Sequence, residues 1–202
     1  MLVLAAQPDG WVGVDLDSGA FVRAIFPGPA AEPLAAFDIT SAPIGDPLDP
    51  PDTVRPEAVT LAVPPQRLGA MPARKAERYL QALRHPAHGP LLGFQGVSVP
   101  YWTIAGDRPS LGLIEPSDGP LIVATAAGYD CRFGWQGTVH QIPLGDRRLT
   151  DELLDRRLRR SSPRELGRLL GFHPGRLLLV VAGPAEGHCS KQVAALLPGR
   201  HR

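Results

Sequence analysis

The sequence predicts an α+β fold: an antiparallel β-meander that can curl into an open barrel, one helix before it, and a C-terminal α-α-β-α segment. Three observations predict it. Aromatic residues alternate from Tyr129 to Trp135 ahead of a Gln136-Gly137 turn. Apolar residues recur at helical spacing at Ala76, Tyr79, Leu80 and Leu83. A capping signature, Ser162-Pro163-Arg164-Glu165, stands before a leucine stripe. At 202 residues the chain suits a single domain, 1–202, with sub-regions at 1–63, 73–146 and 147–202.

From the N-terminus, Leu2 to Ala6, Trp11 to Leu16 and Ala20 to Phe26 read as three strands joined at Pro8-Asp9-Gly10 and Asp17-Ser18-Gly19. This start echoes the stretch from Leu121, as any two meanders would. Eleven prolines between Pro27 and Pro72 exclude long regular elements, because proline lacks a ladder donor and restricts its predecessor. Short strands fit at Phe37 to Thr40 and Glu57 to Val63, with an exposed loop from Ser41 to Pro56 between them that is either disordered or an ordered surface excursion. The spacing predicts a helix over Ala73 to Arg84, stopped by His85-Pro86.

The meander is expected over Val97 to Ala105, Leu111 to Glu115, Leu121 to Ala126 and the hairpin Tyr129 to Leu144. A two-residue loop at Gln136-Gly137 pairs Trp135 with Thr138, Phe133 with His140, Cys131 with Ile142 and Tyr129 with Leu144. That register collects the aromatics, Ile142 and Leu144 on one face, and a slip of one residue would turn the last two outward. Beyond Gly145 a helix begins at Thr150 or Asp151 and runs through Leu153, Leu154 and Leu158. A second starts at Ser162 and ends at Gly171. Arg176 to Ala182 is a continuous apolar strand, hence central and covered on both faces. The loop from Gly183 to Gly187 leads into a short helix over Ser190 to Leu197.

Glycine and proline total 45 residues, which makes the chain folded but rich in loops. Arginine outnumbers lysine 19 to 2, the imprint of a GC-rich bacterial genome. Charge is uneven: residues 1–60 carry −7 and residues 146–202 carry +6, an asymmetry that can steer a partner or draw two ends together. Met1 to Ala6 is too short for a signal peptide and lacks a basic start. No apolar run approaches the length of a membrane span, so no membrane partner is expected. Two cysteines are too few for a disulfide framework, and Cys131 on the core face reads as a buried thiol in a reducing cytoplasm.

Candidate chemistry is sparse. The strand–loop–helix unit from Leu177 to Leu197 could hold an anion on loop amides and a helix N-terminus, with Gly183, Gly187, His188, Cys189, Ser190 and Lys191 as its residues. A thiolate at Cys189 would be favoured there, although the segment misses P-loop spacing. His140 with Cys131, His188 and Cys189 would make a zinc set only if the fold gathered them, and no close ligand pair supports it, so no metal and no cofactor are expected. His85 and His88 read as loop residues beside Pro86. No hydrolase, metalloprotease or dinucleotide signature appears, and carboxylates are scattered over different strands, so no catalytic residue can be named.

Arg147, Arg148, Arg156, Arg160 and Arg164 concentrate positive charge and could track phosphates, with affinity that falls with salt. Acidic neighbours at helical spacing equally make this a solvated helix face. The expected function is therefore a non-catalytic cytoplasmic binding or adaptor module with a protein partner. Nucleic-acid binding through 147–168 is the first alternative, and an enzyme with an anionic substrate at 183–191 the second. Oligomeric state and partner identity do not follow from these residues.

Overall fold

The computed structural model describes residues 1–28, 33–47, 52–104 and 108–200. Within them the chain forms β1 (Leu2–Gln7), β2 (Gly10–Val14), β3 (Phe21–Ile25), β4 (Asp38–Ser41), β5 (Ala58–Thr60), β6 (Gln66–Ala70) and α1 (Ala73–Ala82). Then follow β7 (Ser98–Pro100), β8 (Leu111–Ile114), β9 (Asp118–Thr125), β10 (Gly128–Trp135) and β11 (Thr138–Pro143). The C-terminal part holds α2 (Arg147–Asp155), β12 (Arg160–Ser161), α3 (Pro163–Leu170), β13 (Pro174–Val181) and β14 (His188–Pro198).

The strands make three sheets, in the orders β5-β3-β2-β1-β4-β6, β11-β10-β9-β12 and β7-β14-β13-β8, and none closes into a barrel. Mixed α and β structure with mostly strands is as expected; the barrel is not found. Nor is the meander continuous. β8 pairs with β13, and β7 pairs with β14, so only β9, β10 and β11 run as consecutive antiparallel neighbours. The strand expected over 97–105 is cut to three residues because a 3₁₀ turn at Tyr101–Thr103 follows Pro100; its last residue, 105, and residues 106 and 107 of the turn expected at 106–110 lie outside the described residues.

Both outer sheets share one topology. In each, a three-stranded meander is followed by a strand that returns beside the first, β4 against β1 and β12 against β9, which is Greek-key order. In the second unit β12 leads directly to α3, which starts at Pro163, and then to β13; in the first, β5 and β6 precede α1, which starts after Pro72, and β7 precedes β8, the neighbour of β13 in the third sheet.

That third sheet lies between the other two. Leu177, Leu179 and Val181 of β13 pack with Phe133, Leu153 and Leu166 on one side. Leu178 and Val180 pack with Leu2, Leu4, Val12 and Leu80 on the other. All five β13 side chains are fully buried, the outcome expected of an apolar run without alternation. The hairpin register is also as expected: Trp135 opposes Thr138, Phe133 opposes His140 and Cys131 opposes Ile142. Gln136 (φ 50°) and Gly137 (φ 74°) both take left-handed backbone, as a two-residue turn matched to strand twist requires.

Two buried guanidinium groups tie the layers. Arg23 of β3 pairs with Glu57 at 2.9 Å and donates to the Val181 carbonyl at 3.2 Å. Arg176 of β13 reaches Glu77 on α1 at 2.8 Å and Glu115 at 3.1 Å. The Glu77 carboxyl is half-buried, which opposes ionisation, yet the Arg176 bond holds it below its usual range. Among the described residues no ion pair joins 1–60 to 146–202, so the charge asymmetry is not spent on linking the two ends.

Three local expectations need correction. α2 starts at Arg147, three residues early, because the Asp146 carboxylate accepts from Leu149 N–H and caps it. Of the loop expected to be exposed at 41–56, residues 48–51 lie outside the description, while Val54 is buried in the core and Arg55 is clasped by Asp9 and Asp52. The expected helix over Ser190 to Leu197 is instead part of β14, which pairs with β13 from Lys191 to Pro198, so the C-terminal order is α-β-α-β-β. The capping box at Ser162 and Glu165 is present, with Gly171 as the left-handed C-cap. Ser162→Ala is expected to cost about 1 kcal/mol in urea unfolding, with no effect on the cleft described below.

Candidate functional site

β14 changes partner halfway along one edge. Its first residues pair with β7, ending with Ser190 opposite Ser98 and Lys191 N–H donating to the Val97 carbonyl at 2.8 Å. Two residues later Val193 bridges to Leu144, at the end of β11, and accepts from Gly145 N–H at 2.8 Å. Between the two partners the edge is left open. A cleft of about 470 Å³ lies there, walled by the segment 89–97 on one side and by Trp135 to Ile142 on the other, with Lys191 at its floor. Its size is that of a small-molecule site.

Alternation along β14 places Lys191 on the face of Cys189 and Val193, both in the core. An apolar residue would suit that position; the lysine there is only 2% exposed. Its Nζ donates to the Phe94 and Gly96 carbonyls, each at 2.7 Å, and lies 4.2 Å from the centre of the Phe94 ring. An ammonium has three N–H donors, so one remains for the cleft. Among the described residues no carboxylate pairs with it. Burial pushes its pKa down to about 8.

Two imidazoles complete the surroundings. His140 stacks on Phe133 (5.5 Å, 21°) and is held below the usual histidine range by burial and by the Lys191 charge. His85 Nε2 accepts from Leu92 N–H at 2.9 Å, so its proton sits on Nδ1, which donates to the Pro86 carbonyl. Burial is again the main cause of its lowered pKa, and its ring meets the Trp135 ring edge-on at 5.2 Å. Both rings are thus neutral near pH 7. His88 lies exposed in the same turn.

The sequence candidates divide between cleft and elsewhere. His140 and Lys191 converge on the cleft. Gly183 and Gly187 lie in the β13–β14 connection, away from it, with Gly183 beside the Arg55 guanidinium. His188 is exposed against Trp102, and Ser190 faces Ser98 of β7. Cys189 lies in a strand, not at a helix N-terminus, and is fully buried; burial raises its pKa, opposite to the activated thiolate expected. The Cys131 thiol is pushed up to about 12 by burial and by Asp130. Among the described residues, His, Cys, Asp and Glu form no group of three able to hold a metal ion.

The arginines are exposed and spread over three elements. Arg147 and Arg148 sit in the first turn of α2, beside a second cavity of about 290 Å³ under β1. Arg156 pairs with Glu152 at 2.6 Å, Arg160 is on β12, and Arg164 is in the first turn of α3. No helix among the described residues is long and apolar enough to cross a membrane.

Sequence reasoning missed the aromatic and backbone parts of the cleft, Phe94, Gly96 and the His85–Trp135 contact. Nothing in the local pattern at 89–97 marks Phe94 or Gly96, since they act through carbonyls and a ring face. Compared with protein-family models, curated proteins and solved structures, the chain matches none, so its function is argued from this cleft.

Proposed function

We propose that this chain is a binding module for a small anionic ligand with a flat, unsaturated body, seated in the cleft over Lys191. One observation carries the reading: a buried ammonium, without a carboxylate partner among the described residues, borders an open cavity. Burying an unpaired charge is costly, and the cost is offset when a ligand supplies the counter-charge. Phe94, Trp135 and His140 offer ring faces, and Leu91 and Ile142 an apolar lining, for the ligand's body. This reading replaces the protein partner expected from the sequence with a small ligand, and of the residues 183–191 expected to hold an anion it retains Lys191, at the floor of the cleft.

The test uses 3-phenylpropionate, a carboxylate with a flat ring, titrated calorimetrically into the full chain. Saturable binding is expected near pH 7, weakening about ten-fold per unit as pH rises beyond about 8, because only the ammonium attracts the carboxylate. Lys191→Met is expected to lose it. Affinity that is flat to pH 10, or unchanged in K191M, would refute the reading.

A further inference from the structure

The chain has only two lysines against nineteen arginines. Lys75 is exposed on α1, and Lys191 is buried at the floor of the cleft. At Arg23 and Arg176, both 2% exposed, the buried charge is a guanidinium tied to carboxylate. Lys191 differs from both in residue type and in having no such partner among the described residues. An ammonium differs from a guanidinium in one chemical respect: it can lose a proton in the ordinary pH range and become a nucleophilic amine.

The geometry points to covalent capture, in which the Lys191 amine forms an imine with the carbonyl of a small 2-oxo acid held in the cleft. This rests on the anion site proposed above and adds a reversible bond to it. The nitrogen lone pair attacks the carbonyl carbon while the C=O π pair moves to oxygen. A proton passes from nitrogen to that oxygen, and the carbinolamine loses water as C=N forms. The ligand oxygen leaves as that water, hydrolysis reverses the step, and no oxidant or reductant takes part.

The surroundings suit each stage. With its pKa at about 8, roughly one Lys191 in ten is free amine at pH 7, against about one in three thousand for a lysine at 10.5. The bonds to the Phe94 and Gly96 carbonyls hold Nζ in place at the cleft floor. The imine nitrogen then takes up one proton from solvent, and the single N–H so formed stays with one of these carbonyls, leaving the other to water in the cleft. The protonated imine also keeps the positive charge, which stays beside the carboxylate of the 2-oxo acid. His140, neutral and on the same cleft, can relay the protons.

The experiment treats the full chain with phenylpyruvate and sodium cyanoborohydride near pH 7, then locates the reduced adduct by proteolysis and mass spectrometry. Modification at Lys191 is expected to exceed that at Lys75 by about ten-fold or more, and to be suppressed by 3-phenylpropionate, which lacks the carbonyl. Equal labelling of the two lysines would overturn the proposal, because the reactivity would then be that of any amine. No adduct at Lys191, with 3-phenylpropionate still binding wild type and not K191M, would overturn the imine and leave the anion site standing. Failure of both ligands to bind would remove both. The labelling readout is made on the wild-type chain and needs no variant to fold.

Discussion

Replacing Phe133 with alanine is expected to lower stability by about 3–5 kcal/mol. The ring is 2% exposed and belongs to the core shared by the outer sheet, α2, α3 and β13. Its removal leaves a void between two sheets whose backbones are held by their own ladders, so the site cannot collapse to fill it. For a chain of this size that corresponds to a fall in Tm of roughly 6–20 °C. The variant also strips His140 of its stacking partner, so binding of 3-phenylpropionate should weaken beyond what partial unfolding explains. Thermal and urea unfolding measure the first effect, and a loss under about 1 kcal/mol would show that the ring is not part of the core.

Lys191→Met is expected to act in the opposite direction on stability. The variant keeps the volume of the side chain and removes a charge that the core does not neutralise. The folded pKa, about 8, lies below the ordinary 10.5. Between those values the unfolded chain still binds the proton that the folded chain has released, so wild-type stability rises with pH across that window. Below it the full cost of the buried charge is present, about 3 kcal/mol at pH 7. The methionine variant should therefore be more stable by about 2–3 kcal/mol near neutral pH, with the advantage shrinking as pH approaches 10.5. Urea unfolding of both proteins at several pH values measures this. Parallel stability curves would show that Lys191 is not held against its charge. Gain of stability together with loss of ligand is what a functional group kept at structural cost predicts.

Local chemistry was legible where neighbours in sequence decide the outcome. Ser162 and Glu165 satisfy each other's backbone partners within four residues, and Gly171 supplies the left-handed stop. The Gln136-Gly137 hairpin is similar, since turn and alternation together leave one register that buries Phe133, Cys131 and Ile142. Ser190 to Leu197 went the other way. Its alanines and leucines suit a helix, but a short apolar run is ambiguous by pattern alone. β13 is apolar on both faces and has an edge that needs a partner. Pairing with it outweighs a helix propensity worth tenths of a kcal/mol per residue.

Composition and spacing alone therefore determined that helices and strands are mixed, where the capped helix and the central hairpin lie, and that β13 is buried on both sides. Only the tertiary structure decided that β8 leaves the meander for β13, that β14 is a strand, and that Lys191 and His140 share one cleft. The physical reason is separation. Lys191 and His140 are brought together by β14 exchanging β7 for the end of β11, a choice made between strand edges far apart in the chain, and no local pattern encodes which free edge another will meet.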